Sequence, residues 1–152
     1  MTAWRILEAL HGHAAVLAAA ALVHPALLLR KGAPMSSRTK LAVGLTVAMV
    51  VSAFGSGLFI YGAYVDQVRV QLFLESERAG LLFETKEHLA FGVTAISVGA
   101  AVCAFSAPKE ARALRQGAAV AFAVAAVLCL VTSGLGTFIA GVHGFGGVRP
   151  IH

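Results

Sequence analysis

Histidine is the residue through which this chain could do chemistry. Six histidines stand at positions 11, 13, 24, 88, 143 and 152, in a chain whose apolar blocks hold few other polar groups. Neutral imidazole is the commonest nitrogen ligand for metals, and haem iron takes axial ligands from it. His11 and His13 are two residues apart, about 200° around a helix, so they cannot both face one site. His13 and His24 are eleven apart, about 20° past three whole turns, and so share a face roughly 16 Å apart. That spacing suits two cofactors stacked across a membrane.

The elements that must carry these histidines follow from composition. Of 152 residues, 59% are apolar and only 12% are charged, and the mean hydropathy is +0.83. A soluble domain carries about 25% charged residues, so this chain lacks the polar surface to dissolve. Its apolar residues run in long blocks, from Ala14 to Leu29, Leu41 to Ala63, Leu89 to Ala107 and Gly117 to Val142. Each reaches or approaches the roughly 20 residues that a helix needs to cross hydrocarbon. Barrel strands would alternate polar and apolar residues, and these blocks do not. The expected fold is therefore all-α, an integral membrane four-helix antiparallel bundle with helices over about 3–30, 40–63, 88–107 and 114–142. The chain reads as a single transmembrane domain over 1–152. The long connection over about 64–87 mixes Val68, Val70, Leu72, Phe73, Leu74, Leu81, Leu82 and Phe83 with charges. It reads as an amphipathic segment on the outer membrane surface or a docking element for a partner.

Charge orients the helices. Arg30, Lys31, Arg38, Lys40, Lys109, Arg112 and Arg115, seven of the twelve basic residues, fall around two short loops with only Glu110 against them. Such loops face the cytoplasm, which places both termini on the outer side of a cell's inner (cytoplasmic) membrane. The net charge of +5 is then a topology signal. No basic domain exists to bind nucleic acid. The first helix lacks the basic start of a signal peptide, since its Arg/Lys cluster follows it. Cys103 and Cys129 lie inside apolar blocks and read as small hydrophobes.

In this topology His11, His13, His88 and His143 gather at the outer boundary, while His24 lies in the inner half of the first helix. Three helices thus bring His13, His88 and His143 to one level, where side chains projecting inward can hold a cofactor. The expected axial pair for haem b is His13 with His88. His143 or His11 is the substitute ligand, and His143 could also bond a haem propionate or a quinone. A second site would pair His24 with Met49, since His/Met ligation occurs for haem. Otherwise His24 only fills the polar gap made by Pro25, and His11 and His152 only sit at the wet interface. The small residues Ala53, Gly55, Ser56, Gly57 and Gly62, and Ser133, Gly134, Gly136, Thr137 and Gly141, allow close helix packing. Gly55 and Gly57 could also clear space for a flat cofactor.

With His-Gly-His at 11–13, Glu-His at 87–88 and Val-His-Gly at 142–144 on four apolar helices, the chain resembles small membrane b-type cytochrome subunits. That resemblance implies one-electron transfer through haem b, one haem or two. It also implies partners among other membrane or outer-side redox subunits and the quinone pool, beside the lipid bilayer. Two other readings stand next to it. His11, His13 and His88 with Glu84 or Glu87 could ligate zinc or copper, or the bundle could be a structural anchoring subunit of a larger complex. No Cys-x-x-Cys-His, phosphate loop or Gly-x-Ser-x-Gly nucleophile is present, and no inverted repeat suggests a transporter.

Overall fold

A computed structural model describes residues 3–146; all the elements it contains are helices. They are α1 (Ala3–Leu29), α2 (Ser37–Tyr64), a π-helical turn (Val65–Arg69), α3 (Val70–Glu75), α4 (Glu77–Ser106) and α5 (Arg112–Val142). The π turn joins α2 to α3 without a break, so four continuous stretches are long and apolar enough to cross a membrane. The chain is a multi-pass membrane protein by that measure. Side chains such as Leu17, Leu45, Phe91 and Val127 are exposed along the spans, an apolar surface suited to a lipid bilayer.

Inside, the helices meet through alanine. α5 packs along α1 and α4, α1 packs on α2, and α2 meets α4. The buried seam holds Ala18, Ala19, Ala100, Ala104, Ala118 and Ala125 around Leu22, Val43 and Phe122. Lipid supplies no hydrophobic drive between helices, so small side chains that admit close approach carry the packing. The glycines expected in that role mostly lie elsewhere. A methyl group on Gly55, Gly62, Gly134 or Gly141 would meet open space. Alanine is short enough for the contact and keeps full helix propensity.

The connection over 64–87 continues the two flanking helices. Apart from Ser76 it is helical, divided between the end of the α2–α3 rod and the first turns of α4. Ser76 breaks the rod with an extended backbone, and its Oγ caps α4 by accepting the Ala79 N–H at 3.3 Å. The Phe73 ring lies where a Cβ on Gly80 would be, so glycine lets the two arms close. The apolar residues that suggested an amphipathic segment divide accordingly. Val68, Leu72, Ala79 and Phe83 are buried with Ile139 and Phe145 in a second small core, while Val70, Leu74 and Leu81 remain exposed.

Two repairs of backbone polarity tie the helices together. Pro25 lies within α1 and has no N–H, which leaves the Ala21 carbonyl without its helical partner. The buried Thr46 hydroxyl of α2 donates to that carbonyl at 3.3 Å. Thr46 therefore fills the gap expected for His24, whose side chain is exposed. At the end of the molecule that carries the short loops, Arg115 is 2% exposed. Its Nε donates to the Gly32 carbonyl (2.9 Å), and its terminal nitrogens to those of Pro108 (2.6 Å) and Lys109 (2.7 Å). Expected as one more loop charge, Arg115 instead binds both short loops to α5. Gly32 turns there with φ +66°, and the Arg112 side chain occupies the space a Cβ would need.

Replacing Thr46 with Val keeps shape and removes the donor. It should destabilise the detergent-solubilised protein by about 0.5–2 kcal/mol, the range for interhelical hydrogen bonds in membranes. In a Pro25→Ala background the helix regains its own donor, and most of that cost should vanish. An equal cost in both backgrounds would show that Thr46 does not compensate for Pro25.

Candidate functional site

The end of the molecule where α1 begins and α5 finishes holds an unusual concentration of polar side chains. His11 looks across from α1 to α2. Its Nδ1 lies 3.1 Å from the Ala53 carbonyl and 3.0 Å from Ser56 Oγ. Ser56 itself donates to the Ala53 carbonyl at 2.7 Å, so the imidazole N–H is shared between the two oxygens. A Cβ on Gly57 would stand 2.8 Å from His11 Cε1. Gly57 therefore seats this ring, and Gly55 opens outward. Expected as an interfacial side chain or a substitute ligand, His11 is built into the contact between α1 and α2.

The segment after α5 closes this end. The Glu8 carboxylate lies against the backbone of this segment. A Cβ on Gly144 would come within 2.9 Å of Glu8 Oε1, so glycine is needed beside the acid. Trp4 stacks on Phe145 at 5.9 Å between centroids, and Tyr64 stacks on Phe83 at 4.9 Å. The Tyr64 hydroxyl donates to the His143 carbonyl at 3.3 Å. His143 Nδ1 lies 2.8 Å from Glu75 at the tip of α3, with the imidazole 10% exposed. Its Nε2 is buried without a partner. The π turn carries the α2 rod on into α3, which contacts α5 here.

Lys86 stands in the first half of α4, two residues before His88. Its ammonium lies 5.2 Å from the centre of the Phe83 ring. The side chain passes Gly136 of α5 and stands within electrostatic reach of Glu8 and His11. Among the described residues it makes no ion pair, whereas Arg69 takes Glu84 and His143 takes Glu75. Glu8, His11 and Lys86 thus form a sparse acid–base group at the helix junction. Its signal in the sequence was weak, because Glu8 is offset by Arg5 and Lys86 by Glu87.

No family model, curated protein or solved structure matches this chain.

The remaining expected ligands are dispersed. His13 and His88 are exposed, and each Nδ1 lies close to a carbonyl of its own helix, Ala9 at 2.7 Å and Glu84 at 2.8 Å. They sit on α1 and α4, which each pack on α2 and α5 but not closely on one another. The pair is therefore not assembled within one chain. His24 and Met49 are both exposed, so no inner ligand pair points into the helix interior. A cleft of about 350 Å³ between α4 and α5 is lined by Ile96, Cys103, Leu114 and other apolar residues, without a histidine. Among the described residues no three of His, Cys, Asp and Glu gather as a metal site, so the zinc or copper set around His11 is not formed. His152 lies outside the described residues.

Gly57→Ala tests the seat of His11. Alanine should gain about 1 kcal/mol in helix propensity, but here the added methyl meets the ring. The variant should be less stable than the parent by about 1–2 kcal/mol, as overpacking usually is. In a His11→Ala background the same change should stabilise. A stabilising effect in both backgrounds would mean that the ring does not occupy this place.

Proposed function

We propose that this chain is an anchoring membrane subunit of a larger assembly. It would lie in a cell's inner membrane as a four-helix antiparallel bundle with both termini outward, and engage its partner on the outer side. The carrying observation is the α3–α4 hairpin. Its inner face is filled by its own chain, yet Val70 is 60%, Leu74 76% and Leu81 51% exposed on a segment that also carries Asp66, Glu77 and Arg78. Those charges keep the hairpin out of hydrocarbon, so its apolar side chains need cover from another protein or from the headgroup boundary. The closed alanine seam agrees with this reading, since the free chemistry lies at the surface. Orientation rests on the basic short loops.

Blue-native electrophoresis of gently solubilised native membranes tests the anchor. The chain should migrate well above its 15.7 kDa with a partner. The Leu74→Glu/Leu81→Glu variant should be released as the free subunit while still inserted. Migration of the unaltered chain as a free subunit would overturn the proposal.

One observation favours a second reading, a haem b electron-transfer subunit. With Nδ1–H donated to a backbone carbonyl, His13 and His88 each leave Nε2 as a free lone pair, the arrangement in which metal-bound histidines are held. Because the two are not paired within the chain, the other axial ligand would come from the partner. Bound haem would supply one-electron relay toward that partner or a quinone. A reduced-minus-oxidised spectrum of the complex purified with its partners should then show the α-band of low-spin haem b. His13→Ala or His88→Ala should abolish it without loss of membrane insertion. A featureless spectrum from the intact complex would remove this reading and leave the anchor standing.

A further inference from the structure

At the short-loop end lies a cavity of about 140 Å³ whose lining includes Met35, Lys40, Phe105, Lys109 and Arg115. Three of these five are cations, contributed by α2, the α4–α5 loop and α5. No acidic residue lines it, and Glu110, next to Lys109, is not among its walls. From this lining we propose that the cavity binds a phosphate group, specifically the phosphodiester of an anionic lipid in the adjoining leaflet.

Arg115 is the centre of the argument. A guanidinium has five N–H donors. Three are used on the carbonyls of Gly32, Pro108 and Lys109, which satisfies hydrogen bonding but leaves the positive charge uncompensated. Among the described residues no carboxylate pairs with it. A buried cation without a counter-charge is costly, and an anion in the cavity would supply one. Two donors remain, a number that matches the bidentate contact arginine makes to phosphate. Lys40 and Lys109 are exposed and can add their charge from the rim. The cavity, at about 140 Å³, is more than four times the ~30 Å³ that one water takes in the liquid.

The surroundings suit a lipid more than free phosphate. Phe105 belongs to the lining, and Leu41 follows Lys40; both are exposed apolar side chains along which acyl chains can lie. Basic pockets between transmembrane helices on the cytoplasmic side are suited to anionic headgroups. The proposal stands apart from the anchor and haem readings, and its test requires neither a partner nor a haem.

The experiment is native mass spectrometry of the detergent-purified chain, titrated with phosphatidylglycerol, phosphatidylcholine or inorganic phosphate. Phosphatidylglycerol should bind in preference to phosphatidylcholine and resist displacement by millimolar inorganic phosphate. Lys40→Gln/Lys109→Gln should weaken its binding about thirtyfold, from about fivefold for each of the two basic residues near an anionic headgroup. Both lysines are exposed, so this variant keeps its fold, and an unchanged thermal midpoint in lipid-free detergent checks that. Equal binding of the two lipids, or undiminished binding by the variant, would overturn the site. Displacement by inorganic phosphate at the same concentration as lipid would overturn the lipid assignment in favour of a soluble phosphate.

Discussion

Hydrocarbon offers the peptide backbone no hydrogen-bonding partner, so any group left unpaired inside it carries a penalty of several kcal/mol. Much of this molecule follows from that constraint. The four apolar stretches become uninterrupted helices because no other local structure satisfies every N–H and C=O. Where Pro25 breaks the rule, the neighbouring helix supplies the missing donor through Thr46. The hydroxyls of Thr94, Ser97, Thr132 and Ser133 return to carbonyls four residues back on their own helices. With polar groups occupied in this way, α1, α2, α4 and α5 meet mainly through alanine.

The same constraint sorts ionisable side chains toward the two ends and gives those ends different characters. At the short-loop end the charges are nearly all of one sign, and the buried Arg115 is met by carbonyl dipoles. At the opposite end acids and bases are mixed, and two ion pairs form among the described residues. Glu75 meets His143, and Glu84 meets Arg69. One end is therefore electrostatically incomplete, while the other is closed over itself by the α3–α4 hairpin and the 143–146 segment.

Histidine chemistry shows where reading along the chain stops. Helical geometry correctly separates His11 from His13, because 200° puts them on different faces. It does not say which face meets a neighbour. The structure turns His11 toward Gly57 and Ser56 and leaves His13 exposed, and it treats Lys86 and His88 in the same manner on α4. A glycine reads equally as a packing contact, a ring seat or an exposed position. Gly57 and Gly55, two residues apart, turn out to be the second and the third.

By itself the sequence determined the helical class and the number and approximate extent of the spans, because these depend on the length and polarity of contiguous segments. The segregation of basic residues to one pair of loops is likewise a property of the chain alone. Helix rotation, the fold-back of the chain at Ser76, the burial of Arg115 and the dispersal of His13 and His88 were decided only in the tertiary structure. Each depends on which side chains of different helices fit against one another. In a lipid solvent that choice rests on close packing and a few interhelical hydrogen bonds, terms too small and too distant in sequence to leave a local pattern.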